Sequence, residues 1–195
     1  ILIMNKNKIV ALRDSFGIRP LSVGKLKNGY VFASETCALD TVGATHIRDV
    51  SPGEMVVATK NNLKSYKLAK ANQQLDIFEF VYFSRHDSIL LGKRVYDVRK
   101  NLGKKLAEET SIKADVVVPV PDSSVPAALG YSVATGIPLE FGLMKNRYIG
   151  RTFIMPTQKL RNDGVHIKLN PIKEILKGKR VVIIDDSIVR GTTIK

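Results

Sequence analysis

Short runs of alternating apolar and polar residues fill roughly the first 70 positions of the chain, and this period of two is typical of antiparallel strands. Asn28-Gly29 stands between two such runs, and this dipeptide is preferred in type I′ hairpin turns. A short helix is expected over about 35–42. The segments with a strand pattern are a single strand at 8–14 and two hairpins at 21–35 and 54–68.

The pattern changes near residue 75, beyond which short apolar runs alternate with segments of helical periodicity. Strands that alternate with helices along a chain form parallel sheets from βαβ units. We therefore expect an α/β fold class, with an α+β part at 1–75 and a parallel-sheet part at 76–195. The elements predicted in the second part are strands at 77–84, 115–120 and 181–184 and helices at 95–110, 123–136 and 171–179.

The bulk composition describes a chain that can bury a core. Apolar residues make up 44% and charged residues 25% of its 195 residues, as in soluble globular proteins. Its apolar runs are shorter than the ~20 residues that cross a membrane, and the apolar opening is too short for a signal peptide. One cysteine excludes an internal disulfide. We expect a cytoplasmic protein without a membrane partner.

The charge balance narrows the kind of ligand. The chain has 31 basic and 18 acidic residues, a net charge of +13, which fits nucleic acid, an anionic membrane surface or a small polyanionic substrate. Basic residues concentrate between Lys145 and Lys168, where Asp163 is the one acid. The segment 146–170 has little periodicity and is longer than ordinary connections. We therefore favour a basic binding loop there over a solvated surface loop.

Two adjacent carboxylates, Asp185 and Asp186, follow the buried strand predicted at 181–184. Ligands of open parallel sheets bind beyond the carboxyl ends of the strands, so these acids lie where a ligand is expected. There they can ligate a divalent cation or accept hydrogen bonds from sugar hydroxyls. An Asp-Asp pair by itself does not establish a ligand site, because the alternative, in which one aspartate caps the next turn and the other is solvated, is the better interpretation of the pair alone.

The residues after the two acids favour the ligand-binding interpretation. The segment 187–193 supplies hydroxyls and a glycine where a strand turns into a helix, and the backbone N–H groups of such a turn bind anions. Thr192 and Thr193 can cap that helix and donate their hydroxyls to phosphate. Acids for a sugar beside a turn for a phosphate predict a sugar-phosphate site. Neither a Walker A motif nor GxGxxG occurs in the chain.

The stretch VVIIDDSIVRGTT resembles the phosphoribosyl pyrophosphate (PRPP) motif of type I phosphoribosyltransferases. Over nearly its whole length the chain resembles the family of glutamine phosphoribosylpyrophosphate amidotransferases (amidophosphoribosyltransferases). The stretches similar to the glutaminase domain of that family are ALRDSFGIRPLSVGK, FASETCALDTVGA and RDVSPGE. Those similar to its transferase domain are IFEFVYFSRHDS, VPVPDSSVPAALGY and LMKNRYIGRTFIMPTQKLR.

The resemblance implies a piece of an Ntn-hydrolase-type αββα glutaminase domain at 1–75 and the first part of a type I phosphoribosyltransferase domain at 76–195. The similar stretches begin part-way through the glutaminase domain of the family. We therefore expect an internal piece without the nucleophilic N-terminal cysteine and glutamine site of the family. Such a piece would be inactive with glutamine by itself. Cys37 is no substitute, because it has no free α-amine and is expected to be a small core residue.

The resemblance also implies roles for individual residues. The flexible loop that closes over PRPP and carries the catalytic side chains corresponds to Lys145, Arg147, Tyr148 and Arg151. The metal site corresponds to Ser124, Asp185 and Asp186, of which the two aspartates would face the ribose hydroxyls. The turn 121–124 would receive pyrophosphate and the turn 187–193 the 5′-phosphate. The PRPP-binding residues implied in addition are Asp122, Ser123, Ser187, Val189, Arg190, Gly191, Thr192 and Thr193.

The activity implied by the resemblance is the first committed step of purine synthesis, in which PRPP, glutamine and water give 5-phosphoribosylamine, glutamate and pyrophosphate. Ammonia displaces pyrophosphate at the anomeric carbon, with Mg²⁺ and basic groups on the leaving group. The family also implies a homotetramer with purine-nucleotide feedback inhibitors and no nucleic-acid partner. Some members carry an iron–sulfur cluster, but Asp76 stands where they have a cysteine, so we expect none here.

Other functions stay open at this point. A PRPP-binding regulator or a salvage phosphoribosyltransferase would share the site, although neither needs the glutaminase-like residues 11–54. A nucleic-acid-binding module would account for the net charge, although no known nucleic-acid motif occurs in the chain.

Overall fold

The structure, a computed structural model, describes residues 1–110, 112–146 and 169–188. Its contacts divide the chain into two compact units, Ile1–Val95 and Tyr96–Lys195. Helices and strands are mixed along the chain, which confirms the α/β class at this level. The residues just after 75 pack within the first unit, and the domain boundary that the sequence suggests at 75/76 stays a prediction.

Antiparallel strands form most of the first unit. Its strands are β1 Leu2–Met4, β2 Ile9–Leu12, β3 Ser22–Leu26, β4 Gly29–Ala33, β5 Thr45–Asp49, β6 Glu54–Ala58 and β7 Leu63–Lys67. One sheet has the order β1-β2-β6-β7 and another the order β4-β3-β5. Ala11, Leu21, Val50 and Val56 form a shared buried core. The strand at 8–14, both hairpins and the short helix, α1 Thr36–Thr41, are confirmed.

The hairpin between β3 and β4 differs in its turn from the type I′ turn predicted at Asn28-Gly29. Gly29 pairs with Leu26 in the ladder, so the two-residue connection is Lys27-Asn28. Gly29 also lacks the positive φ that the second central residue of a type I′ turn requires. The hairpin is therefore confirmed and the turn type is wrong, because the strand pairing extends one residue into the predicted turn.

The aromatic run 77–84, predicted as a strand, is instead a turn of π-helix at Glu79–Phe83. The carboxylate of Glu79 is buried, accepts a hydrogen bond from the Ser84 hydroxyl at 2.9 Å and pairs with Arg19 at 2.9 Å. These contacts hold the Glu79 side chain inside the unit. The strand prediction is wrong because the period of the aromatic residues carries no information about such distant partners. A two-residue hairpin follows, β8 Ile89–Leu90 and β9 Lys93–Arg94.

The second unit begins with a long helix and contains a parallel pair of strands. Its elements are α2 Val95–Glu109, β10 Val116–Pro119, α3 Val125–Thr135, β11 Leu143–Lys145, β12 Leu169–Pro171, α4 Lys173–Leu176 and β13 Val181–Ile184. Strands β10 and β13 pair in parallel, from Val116 opposite Val181 to Pro119 opposite Ile184, and β11 pairs with β12 in antiparallel fashion. The helices and strands predicted between 95 and 184 are confirmed, although the helix predicted at 171–179 covers only Lys173–Leu176, and β11 and β12 were not predicted.

Glycines let α2 and α3 approach each other closely. A Cβ atom on Gly103 would lie 1.8 Å from the carbonyl oxygen of Ala127, and one on Gly130 would lie 1.9 Å from that of Lys100. Through its other contacts, α3 packs against the strand pair, because Ala128 and Tyr131 share a buried cluster with Val117 of β10. None of the helices in the described residues is both long and apolar enough to cross a membrane.

Candidate functional site

Two turns meet where β10 and β13 end. Strand β10 is followed by the turn 121–124, and β13 is followed by Asp185 and Asp186. Because the two strands are parallel and paired, both turns leave the sheet at the same edge. The backbone N–H of Val120 donates to the carbonyl of Ile184 at 2.9 Å and continues the ladder up to that edge. The predicted position of the two aspartates at the carboxyl end of a parallel strand is thus observed.

The carboxylate of Asp186 joins the two turns through hydroxyl donors. The hydroxyl of Ser123 donates to Oδ2 of Asp186, and the hydroxyl of Ser187 donates to Oδ1 at 2.8 Å. Oδ1 of Asp185 accepts the backbone N–H of Asp186 at 2.8 Å. Three residues that the sequence predicts to bind PRPP, Ser123, Asp186 and Ser187, are therefore brought together.

Ser124 is the N-cap residue of α3, but unlike most serines at that position it makes no side-chain cap hydrogen bond. Its backbone is helical, with φ −87° and ψ −4°, and its hydroxyl donates to the carbonyl oxygen of Val120. An N-cap residue that accepts an N–H with its side chain normally has an extended backbone, which explains the difference. Only 1% of Ser124 is exposed. The metal-binding role suggested for it stays a prediction.

Lys145 and Asp122 form an ion pair at the same edge. Lys145 is the last residue of β11, and its Nζ lies 2.6 Å from Oδ2 of Asp122 in the turn 121–124. The peptide bond between Pro121 and Asp122 is cis. About a third of the lysine side chain and 71% of the aspartate side chain are exposed. A residue predicted for the closing loop thus contacts the turn predicted for pyrophosphate.

The other predicted site residues lie outside the part of the chain that the structure describes. These are Arg147, Tyr148 and Arg151 of the predicted loop and Val189, Arg190, Gly191, Thr192 and Thr193 of the predicted phosphate turn.

Asp185 and Asp186 match the small number of carboxylates that usually bind Mg²⁺ in proteins. Among the described residues, no group of three or more His, Cys, Asp or Glu side chains is arranged to hold a metal. Mg²⁺ is usually bound through one or two carboxylates together with waters and substrate phosphates. Asp185 and Asp186 supply that number of carboxylates at the sheet edge, with the hydroxyls of Ser123 and Ser187 beside them.

Neither Asp76 nor Cys37 is predicted to take part in catalysis, and both make contacts within the first unit. The carboxylate of Asp76 accepts the N–H of Phe78 at 3.0 Å, and its carbonyl accepts the N–H of Glu79 at 3.0 Å, so it stabilises the turn that leads into the π-helical residues. Cys37 lies in α1, is 5% exposed, and burial raises the pKa of its thiol. The expectation that Cys37 is a core residue is confirmed.

Asp115 and Arg180, which sequence reasoning missed, close the opposite end of the strand pair. Each stands one residue before a strand, and Arg180 Nη2 donates to Asp115 Oδ1 at 2.8 Å while the Asp115 N–H donates to the Arg180 carbonyl at 2.9 Å. The Arg180 guanidinium lowers the pKa of Asp115 to about 2. Opposite charges just before two strands are the signal that the sequence offered.

Carboxylates and hydroxyl-bearing turns thus lie together at the carboxyl edge of paired parallel strands, which is where open α/β sheets bind their ligands. The family model described as phosphoribosyl transferase domain matches residues 86–195, more than half of the chain. The chain belongs to this family.

Curated relatives extend the likeness over nearly the whole chain. The chain is 53% identical over 193 residues to the amidophosphoribosyltransferase of Bacillus subtilis, covering 98% of this chain and 40% of that protein. It is 53% identical over 189 residues to the amidophosphoribosyltransferase of Synechocystis sp., covering 95% of this chain and 38% of that protein. The resemblance carried by the sequence motifs is confirmed. The chain spans about 40% of the length of these relatives.

Solved structures agree with the sequence relatives. The glutamine PRPP amidotransferase from B. subtilis complexed with ADP and GMP matches with a TM-score of 0.88 at 53% identity, covering 98% of this chain and 42% of that one. A structure described as the allosteric regulatory enzyme of purine biosynthesis matches with the same TM-score of 0.88.

Proposed function

We propose that this protein is an amidophosphoribosyltransferase, which converts PRPP, glutamine and water into 5-phosphoribosylamine, glutamate and pyrophosphate in the first committed step of purine synthesis. The observation that carries the proposal is the link from Ser123 to Asp186 at the edge of two parallel strands. It occurs in a chain that is 53% identical to curated amidophosphoribosyltransferases over at least 95% of its length.

The proposed PRPP site follows the edge of the sheet. Asp185 and Asp186 accept hydrogen bonds from the ribose hydroxyls, and the segment 187–193 binds the 5′-phosphate through backbone N–H groups and hydroxyls. The turn 121–124 receives pyrophosphate, because the first turn of α3 presents backbone N–H groups and the positive end of the helix dipole there. Helix α3 has 11 residues, enough for that dipole to develop.

Mg²⁺ is the proposed metal, held by Asp185 and Asp186 and by the substrate. When bound it would neutralise charge on the departing pyrophosphate. Ser124 is the third proposed ligand, although its hydroxyl already donates to the Val120 carbonyl and only its oxygen lone pairs are available.

The chain's own residues contribute charge and exclude water during displacement. Lys145 lies beside the pyrophosphate turn and stabilises the leaving group, while the two sheet-edge aspartates lie on the ribose side, where positive charge develops. Arg147, Tyr148 and Arg151 are proposed to close over PRPP and keep water from the anomeric carbon. Ammonia, released from glutamine elsewhere in the complete protein, then attacks from the face opposite pyrophosphate.

Several features of the complete protein belong to the same proposal. Residues 1–75 are part of an Ntn-hydrolase-type αββα glutaminase domain, residues 76–195 are part of a type I parallel-sheet transferase domain, and the domain boundary lies at 75/76. The protein is a cytoplasmic homotetramer without an iron–sulfur cluster. A solved structure of a relative complexed with ADP and GMP, and a solved structure described as that of an allosteric enzyme, support feedback inhibition by purine nucleotides.

The test is pyrophosphate release by the intact protein from PRPP and Mg²⁺, with one co-substrate added at a time. Release that requires glutamine or ammonia is expected. Release that requires a nucleobase would identify a salvage phosphoribosyltransferase instead. PRPP binding without release under any of these conditions would identify a regulator and contradict the proposal.

A further inference from the structure

Asp122 is an exposed carboxylate in the turn that the proposed function assigns to pyrophosphate. It stands between β10 and α3, and 71% of its side chain is exposed. Its carbonyl accepts the N–H of Val125, the first residue of α3, at 3.4 Å, so its backbone lies in the turn that leads into the helix. A polyphosphate carries several negative charges, and a carboxylate at this position repels it. The turn therefore combines an attractive helix start with a repulsive side chain.

Lys145 compensates the negative charge of Asp122. Its Nζ lies 2.6 Å from Oδ2 of Asp122, and its backbone is held by the pairing of Lys145 with Leu169 between β11 and β12. Ion pairs as exposed as this one contribute little net stability. Lys145 can therefore leave Asp122 and pair with a more highly charged anion at little cost in free energy.

The contacts of Asp186 differ in kind from those of Asp122. Asp186 accepts its side-chain hydrogen bonds from the neutral hydroxyls of Ser123 and Ser187, whereas Asp122 accepts from a cation. An anionic ligand competes strongly for the Lys145 ammonium, because that donor is charged. It competes less strongly for the serine hydroxyls, because they are neutral. The Asp122–Lys145 pair is thus a part of the edge in which an anionic ligand competes directly with a carboxylate for a cation.

We propose that Asp122 is a specificity-determining residue that discriminates against metal-free pyrophosphate and admits the metal complex. This inference rests on the proposed function, because it takes the turn 121–124 as the pyrophosphate subsite. Without a divalent cation, Asp122 repels the ligand and retains Lys145. With the cation, the carboxylate faces a positive charge instead of a negative one, and Lys145 turns from Asp122 to the pyrophosphate oxygens.

The experiment is calorimetric titration of the intact protein with inorganic pyrophosphate, with and without Mg²⁺. For the unchanged protein we expect binding that is at least about tenfold tighter with Mg²⁺. Asp122→Asn keeps the size of the side chain and removes its charge, so metal-free affinity rises about tenfold and the advantage given by Mg²⁺ shrinks. Asp122→Ser is expected to act alike, which separates loss of charge from an effect of the new amide.

Two further variants define the comparison. Lys145→Gln weakens pyrophosphate binding with and without Mg²⁺, because the cation is lost in both states. Asp115→Asn is the matched control, since Asp115 also pairs with a basic residue at 2.8 Å but lies at the other end of β10. It should leave both affinities unchanged.

The outcomes separate the inference from the proposed function. If both Asp122 variants bind metal-free pyrophosphate like the unchanged protein, Asp122 and Lys145 form a surface ion pair only and the inference is overturned alone. The same holds if Asp115→Asn gives an equal gain, because the effect is then one of net charge. If the unchanged protein binds neither pyrophosphate nor its Mg²⁺ complex, both the proposed function and this inference are contradicted.

Discussion

The hydroxyl of Ser123 donates a hydrogen bond to the carboxylate of Asp186 across 63 positions of sequence. The two residues follow β10 and β13, which are neighbours in the sheet, so each strand delivers its turn to the same point. In the proposed function one turn receives pyrophosphate and the other binds ribose. Under that proposal, this hydrogen bond sets the spacing between the subsites for the two parts of the ligand.

Ser123→Ala should weaken PRPP binding about tenfold, because Asp186 loses one hydroxyl donor and the two turns are no longer joined. Stability should change little, since Ser123 is only half-buried. Calorimetric titration with PRPP and Mg²⁺, with urea unfolding alongside, measures both quantities. Ser132→Ala is the control, because Ser132 donates to the Ile137 carbonyl near the other end of α3. Equal losses of affinity in the two variants would show that the Ser123 contact has no specific role.

Gly103→Ala and Gly130→Ala should each destabilise the second unit. In an unobstructed helix, replacing glycine by alanine stabilises by roughly 0.5–1 kcal/mol. Here the new methyl group meets a backbone carbonyl of the facing helix within 2 Å, so we expect a loss of about 1–3 kcal/mol in the free energy of unfolding. Urea unfolding measures the sign directly.

Gly29→Ala provides the reference for these glycine substitutions, because nothing lies within 4 Å of a Cβ atom at that position. It should change the free energy of unfolding by less than about 1 kcal/mol. Stabilisation by either Gly103→Ala or Gly130→Ala would mean that the two helices do not approach as closely as the structure indicates.

Glu54 should make the first unit sensitive to acid. Burial opposes its ionisation, but hydrogen bonds from Arg48, Ser65 and the N–H of Ser51 outweigh burial and lower the pKa of Glu54 from 4.5 to about 2. A carboxyl whose pKa is lower in the folded state stabilises the fold above its unfolded pKa. That stabilisation is therefore complete above about pH 4.5 and is lost as the pH falls towards 2.

Glu54→Gln tests this directly. At neutral pH the variant should be less stable by about 1–3 kcal/mol, because the Arg48 guanidinium loses its charged partner. Between pH 4.5 and 2 its stability should fall less steeply than that of the unchanged protein. Urea unfolding across this range gives both slopes, and identical slopes would rule out Glu54 as the titrating group.

Local sequence pattern predicted most elements of the fold but not how they face one another. Apolar residues at helical spacing predict α2, yet Leu102 and Leu106 are 47% and 40% exposed in the structure, while Gly103 lies against α3. Hydrophobic spacing identifies a helix, and backbone contact through glycine decides which side of it packs. The π-helical turn at Glu79–Phe83 was missed for a related reason, because the contacts of Glu79 involve residues distant in sequence.

The sheet-edge acids were predictable because their position follows from strand order alone. Parallel strands deliver whatever follows them to one edge, so Asp185 and Asp186 could be located once the strand before them was recognised. The pairing of Lys145 with Asp122 could not be derived in this way. It depends on how β11 lies relative to the turn 121–124, which no local pattern specifies.

The most direct test of the proposed site is calorimetric titration of the intact protein with PRPP, with and without Mg²⁺, for the unchanged protein, Asp186→Asn and the control Asp115→Asn. We expect saturable, Mg²⁺-dependent binding that Asp115→Asn retains and Asp186→Asn weakens at least about tenfold. Absence of PRPP binding by the unchanged protein, or undiminished binding by Asp186→Asn, would contradict a PRPP site at this edge of the sheet.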